Sequence, residues 1–364
     1  MVKLYGAPNY SEIDPTFFLA FTFPLIFGFM FGDVGHGLVL IISGIIGRIL
    51  LRKKDQDTKN FCIIILYCGL GALFAGFFYG EFFGQEIIIN GEVWRLFYNP
   101  MENVMQILYL AIIIGIIQIN LGWFIQAINY WKSKKKFLAI SDSFIKILLL
   151  IGGAILIFNW GFRITEWFAL PYPILLPLIP GLLLIILKPI GKSLHIASYL
   201  KEESYGGLIG EGSMEAFETL LSILSNVFSY ARILALAMAH IGLMFAIDAM
   251  ANLIQPDNIL MEIVRIIGLI FGNMIVILLE TVIVFIHDLR LHFYEFFSKF
   301  YGGAGKLFIP FEITNNYYTI NFTQKIKEDK LLKEIDKIKG RIDFSEIELE
   351  KKKIIEKFLD GKLE

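Results

Sequence analysis

The chain has 364 residues, 56% of them hydrophobic and only 18% charged, with 33 basic against 34 acidic side chains. A mean hydropathy of +0.64 and a charged fraction well under the ~25% usual in soluble domains identify a membrane protein by composition. The near-zero net charge says nothing about nucleic acid, but no basic tract has the aromatic interleaving of an RNA reader, so no nucleic-acid partner is expected. The two cysteines, Cys62 and Cys68, lie in one apolar run and read as buried helix residues. They form no disulfide framework, and no spacing of ligands along the chain marks a metal or cofactor site.

In chain order, a polar start (1–14) leads into apolar segments at 15–31 and 38–51, separated by GDVGHG at 32–37. Glycines beside an aspartate are a turn signal, so these segments read as two short spans joined by a tight hairpin. A polar loop (52–59) precedes a third span at 61–79. In the loop 81–103, Asn90-Gly91 between apolar strings predicts a small β-hairpin. Further spans are expected at 104–131, 144–158 and 174–187, followed by two elements of about 43 residues each, 211–253 and 258–300. At 1.5 Å per residue each reaches roughly 64 Å, twice a ~30 Å hydrocarbon core, so each must tilt, break or leave the membrane. The fold expected is an all-α membrane protein of eight transmembrane helices, the last two long and tilted against a curved partner. The domains are a cytoplasmic segment 1–14, a membrane domain 15–311 and a charged cytoplasmic tail 312–364. Lysine and arginine crowd the loops after even-numbered spans (Arg48, Arg52 to Lys54 and Lys59; Lys132 to Lys136; Lys188, Lys192, Lys201). That bias places both termini in the cytoplasm.

The ionisable residues inside the last two elements are the candidate site. An arginine at bilayer depth costs ~2.5–3.5 kcal/mol or more, so Arg232 implies a polar path or a partner of opposite charge. Treating the seventh element as one straight helix, Glu218 lies about 40° round and ~21 Å below Arg232, and His240 about 80° round and ~12 Å beyond it. On the antiparallel eighth helix Glu280, His287 and Arg290 span ~15 Å. Proton-accepting groups (His240, Glu280, His287) thus fall in the outer half, permanent cations (Arg232, Arg290) near the midplane, and Glu218 in the inner half, with Glu211 and Glu215 at its mouth. Two half-paths separated by a guanidinium that cannot discharge suit a proton stator. The arginine draws a carboxylate on a moving partner into its ionised form and blocks a direct leak.

Three stretches carry a family resemblance: DPTFFLAFTFPLIFGFMFGDVGHG (14–37), SNVFSYARILALAMAH (225–240) and ETVIVFIHDLRLHFYEFFSKFY (280–301). They resemble the membrane domain of subunit a, also called subunit I, of archaeal and vacuolar-type rotary ATPases. The resemblance implies that Arg232 is the family's essential arginine and that Glu218, His240, Glu280, His287 and Arg290 match its polar residues. It implies a non-catalytic stator in the cell membrane of an archaeon or bacterium, working against a proteolipid c-ring, while ATP chemistry resides on other subunits. Its other partners would be a peripheral stalk and a cytoplasmic N-terminal region of the same subunit, on a separate chain or beyond this sequence. Asp288 departs from the family pattern and is expected to neutralise Arg290 in part. The rival readings are a secondary transporter, which would show broken helices in matching halves, and a structural anchor, for which the buried charges would be needless cost.

Overall fold

The first turn that matters is two residues long. Gly32 adopts φ +37° and Asp33 caps the next helix, its side chain accepting from His36 N at 2.8 Å. The turn is therefore tighter than the six-residue interruption expected from the glycines: Gly35, His36 and Gly37 already lie in the first turn of a helix. The computed structural model describes residues 1–9, 12–89, 92–93, 103–161, 163–170, 172–193, 204–254, 258–303 and 305. Residues Met1–Leu307 form one compact unit. The tail expected over 312–364 lies outside the described residues, as do the turn residues Asn90 and Gly91.

The described chain is mostly helical. After α1 (Val2–Tyr5) come α2 (Thr16–Phe31), α3 (Val34–Leu50) and α4 (Gln56–Tyr79). Two small antiparallel hairpins follow, β1 (Glu81–Phe82) with β2 (Gln85–Glu86) and β3 (Ile88–Ile89) with β4 (Glu92–Val93). In the second, Ile88 pairs with Val93 and Ile89 with Glu92, the hairpin expected around Asn90-Gly91. Next are α5 (Val104–Lys132), α6 (Lys136–Leu138), a π-helical turn Ala139–Phe144, α7 (Ile145–Trp160), α8 (Ile164–Trp167) and α9 (Leu175–Ser193). The last part is α10 (Tyr205–Ser229), α11 (Ala231–Asn252), α12 (Ile259–Arg290), a π-helical segment Leu291–Phe296 and a final 3₁₀ turn Phe297–Lys299.

Among the described residues, six helical stretches are long and apolar enough to cross a membrane, the last two being Tyr205–Asn252 with 48 residues and Ile259–Lys299 with 41. The helices α2 and α3, at 16 and 17 residues, reach ~24–26 Å and fall short of the ~20 residues a perpendicular crossing needs. They are held in a tight three-helix unit with α4 through small residues, which let backbones approach closely. A Cβ on Gly28 would lie 2.2 Å from the Gly71 carbonyl oxygen, and one on Gly76 would lie 2.4 Å from Val34 N. The main core joins this unit to α5, α11 and the last helix through Phe23, Phe27, Phe31, Ile119, Trp123, Tyr230 and Phe296. Cys62 and Cys68 are buried and free, as expected.

The long seventh element is broken, not continuous. Tyr230 separates α10 from α11, and its N–H and carbonyl engage in i→i−3 bonds (Tyr230 N to Val227 O, 3.1 Å; Ile233 N to Tyr230 O, 3.0 Å), a tightened turn that interrupts the α ladder. The cause is tertiary. The Tyr230 ring is fully buried against Gly115 of α5, where a Cβ would meet the ring at 2.5 Å, and its hydroxyl donates to Gln118 Oε1 at 3.0 Å. A straight-helix azimuth therefore does not carry unchanged across the break from Glu218 to Arg232 and His240, which share α11.

Candidate functional site

Arg232 sits in the first turn of α11, two residues past the break. Its Nε donates to Ser229 O at 3.0 Å, a carbonyl freed where the ladder is interrupted. Its Nη2 donates to Glu295 Oε1 at 2.6 Å, while Nη1 has no partner among the described residues. The pair is partly buried, with side-chain exposures of 19% for Arg232 and 5% for Glu295. Such geometry, a short charge-assisted bond on one edge of a guanidinium, leaves the buried Nη1 without an acceptor among the described residues. Glu295 was not among the residues expected at the site. It belongs to the π-helical segment, whose extra residue per turn swings it toward Arg232.

A second cluster forms where the α2–α3 turn, β1–β2, α11 and α12 meet. His240 Nδ1 lies 2.6 Å from Glu280 Oε2, and both side chains are buried. His240 Nε2 is 3.7 Å from Asp33 Oδ2. Asp33 is fully buried and accepts from three backbone donors: His36 N and Phe83 N on Oδ1 (2.8 and 3.1 Å) and Gly84 N on Oδ2 (2.7 Å). The left-handed φ values of Phe83 (49°) and Gly84 (70°) aim those two amides at the carboxylate. His36, also fully buried, contacts Asn273 Oδ1 through Nε2 at 3.0 Å and meets the His240 ring edge-on at 5.2 Å. Glu81, 3% exposed in the loop after α4, completes the group. Burial pushes its carboxyl up to about 7, with His240 opposing the rise and Asp33, Glu86 and Glu280 adding to it.

A third group lies among α5, α7, α9 and α10. A cavity of about 550 Å³ is lined by Asp142, Lys146, Lys188, Glu215, Glu218 and Lys299 among others. Glu215 bridges two lysines, accepting from Lys146 Nζ at 2.9 Å and Lys188 Nζ at 2.6 Å; Lys146 also pairs with Asp142, and Lys188 with Glu211 at 2.8 Å. Glu218 is exposed to this cavity. Lys299 donates to Ser222 Oγ at 2.8 Å. Side chains of opposite charge, paired with one another, thus line an open volume.

Of the six residues singled out from sequence, the structure thus joins His240 to Glu280, gives Arg232 an intrachain carboxylate, and lines a cavity with Glu218. It does not bring His287 or Arg290 to either cluster. His287 Nδ1 returns to its own helix at Ile283 O (2.9 Å), and Arg290 is exposed. Asp288 does not serve Arg290 as expected: it is fully buried on the opposite side of the helix, with Oδ1 3.0 Å from His292 Nδ1. His292 Nε2 in turn lies 2.9 Å from Thr22 Oγ1 of α2. The contributions of Asp33, His36, Glu81, Asn273 and Glu295 were missed. Asp33 and His36 stood in a motif already noted, but its glycines read as a loop; the others carry no local signal.

Comparison with known proteins gives a consistent picture. The model of the V-type ATPase 116kDa subunit family matches residues 1–107 and 196–313. The chain is 29% identical over 371 residues to the A-type ATP synthase subunit I of Saccharolobus solfataricus, covering 85% of this chain and 52% of that protein. It is 30% identical over 319 residues to the subunit of the same name from Pyrococcus horikoshii (85% and 45%) and 30% identical over 346 residues to that from Methanocaldococcus jannaschii (88% and 48%). The chain spans about half the length of the curated relatives it matches.

Proposed function

Because the chain belongs to the V-type ATPase 116kDa subunit family, we propose that it is the non-catalytic, proton-conducting stator of a rotary ATPase membrane sector. In this reading α2 and α3 count as spans beside the six longer stretches, giving eight, with both termini cytoplasmic. Residues 1–14 and 312–364 are its cytoplasmic flanks. The broken α10–α11 element and α12 lie tilted against a proteolipid ring, and a peripheral stalk and cytoplasmic N-terminal region hold the stator still.

The observation that supports this most is the separation of two polar groups by one guanidinium. Along the α10–α11 element, Glu218 with its cavity precedes the break, Arg232 follows it, and His240 with Glu280 lies two turns further on. Glu218 and the lysine–glutamate chamber form the inner half-path; Glu280 and His240 form the outer one, with His287 and Arg290 at its margin toward the ring. A proton entering one half-path neutralises a ring carboxylate, and the ring turns. Arg232 then draws that carboxylate into its ionised form, and its permanent charge prevents a proton from passing straight between the chambers.

The test is Arg232→Ala in the assembled complex reconstituted into vesicles. Coupled ion transport should vanish while the subunits still co-purify. Full transport in that variant overturns the mechanism.

A further inference from the structure

The outer cluster has a composition that a proton path alone does not require. One donor atom each from Asp33, His36 and His240 lies within 4.8 Å of the other two, and all three residues are buried. Two ring nitrogens there, His36 Nδ1 and His240 Nε2, have no hydrogen-bond partner among the described residues. Buried polar atoms without partners are uncommon and call for an explanation.

The partners of the opposite ring nitrogens supply one. Asn273 donates its own amide to Leu269 O at 2.8 Å, so its Oδ1 faces His36 as an acceptor, and His36 Nε2 carries the hydrogen of that 3.0 Å bond. The Nδ1 of His36 is then left with a bare lone pair. Likewise an ionised Glu280 can only accept, so His240 donates through Nδ1, and Nε2 faces Asp33. Each imidazole is oriented by an acceptor on its far nitrogen, and Asp33 by three backbone amides. That is the outer support which metal-ligating histidines and carboxylates receive, fixing tautomer and ring angle.

We propose that Asp33, His36 and His240 bind a divalent first-row transition ion of the Zn²⁺ type. Two imidazoles and one carboxylate are a borderline donor set suited to such an ion, and they leave a coordination position for water. Tetrahedral ligands at ~2.0–2.1 Å from zinc stand ~3.4 Å apart. The His240 Nε2–Asp33 Oδ2 separation of 3.7 Å is already close to that, and the 4.8 Å limit of the set asks for a shift of about an ångström by side chains alone. A cavity of about 320 Å³ is bounded by Phe83, Gly84, Met244, Asn273 and the exposed Asp248, and Gly84 and Asn273 are the groups that hold Asp33 and His36.

Binding itself does not depend on the stator reading, but its consequence does: an ion seated there occupies the outer half-path and stops flow. The full chain, purified in detergent with any affinity tag removed, is titrated with Zn²⁺ and separately with Co²⁺. One Zn²⁺ should bind per chain, at least tenfold more weakly in His36→Gln and in His240→Gln. Both variants are compared with the parent by thermal unfolding in chelator to establish that they fold. Co²⁺ bound to the parent should show the intense visible bands of a four-coordinate nitrogen and oxygen site, a readout that needs no variant. Absence of stoichiometric binding, affinity unchanged in both variants, or a spectrum with thiolate ligation overturns the proposal. Stoichiometric binding without inhibition of transport by Zn²⁺ supplied from the outer face supports the metal site and counts against the half-path reading.

Discussion

Arg232 Nη2 and Glu295 Oε1 stand 2.6 Å apart, joining the first turn of α11 to the π-helical segment that ends the last long helix. This pair explains how an arginine at bilayer depth is tolerated before any partner arrives. One edge of the guanidinium is satisfied within the chain and by Ser229 O. In the stator proposed above, a ring carboxylate would have to compete with Glu295 for the arginine.

Truncating Glu295 should therefore be costly in a specific way. Glu295→Ala removes the acceptor and leaves a partly buried guanidinium half-satisfied, a loss on the order of 1.5–3 kcal/mol for a hydrogen bond to a charged group. Glu295→Gln keeps an oxygen at the same place and should lose less. Thermal unfolding of the purified chain in detergent gives the comparison; equal midpoints for the two variants would show that the bond is not stabilising.

The packing of α2 on α4 predicts opposite outcomes for one substitution type at two sites. A Cβ on Gly71 would lie 1.8 Å from Pro24 O, whereas one on Gly153 in α7 meets nothing within 4 Å. Gly71→Ala must push two backbones apart and should destabilise by about 1–3 kcal/mol. Gly153→Ala should be neutral or gain up to ~1 kcal/mol from helix propensity. Parallel melting curves decide it, and equal destabilisation by both would refute the close approach.

Glu81 gives the pH dependence. Its carboxyl, outside the helices, is raised from the usual carboxylate value to about 7 by burial. A group whose folded-state pKa is raised contributes stability that is complete below its unfolded value and is lost as pH rises through the folded one. Between about pH 4.5 and 7 its contribution should decline with rising pH. In Glu81→Gln that decline disappears, so the difference in melting temperature between parent and variant should change across this window. Infrared difference spectra should show a carboxyl band titrating near neutrality that the variant lacks; a band gone by pH 5 would contradict the burial argument.

How far the sequence reaches can be followed at particular residues. The long apolar helices and the Asn90-Gly91 hairpin were legible because apolar run length and turn chemistry are local, although several helices extend up to six residues past the ends expected. The pairing of His240 with Glu280 was approached correctly, since both lie in adjacent antiparallel helices at comparable depth. The break at Tyr230 was not, because it is produced by a ring wedged on Gly115 and a hydroxyl held by Gln118, both on a distant helix. Asp288, two residues before Arg290, pointed to a pair, yet residues two apart on a helix point about 200° apart, and Asp288 turns inward to His292.

By itself the sequence determined that this is a multi-span helical protein, where its long helices run, and that Arg232 requires a polar setting. Those conclusions follow from composition, periodicity and the cost of a charge in hydrocarbon, none of which needs contacts between distant residues. Only the tertiary structure decided what Arg232 touches and how Asp33, His36, Glu81, His240, Asn273 and Glu280 converge from both ends of the chain. Ligand and proton-path geometry of that kind is set by how helices pack and where a π turn or a two-residue turn aims a side chain. No spacing along the chain records it.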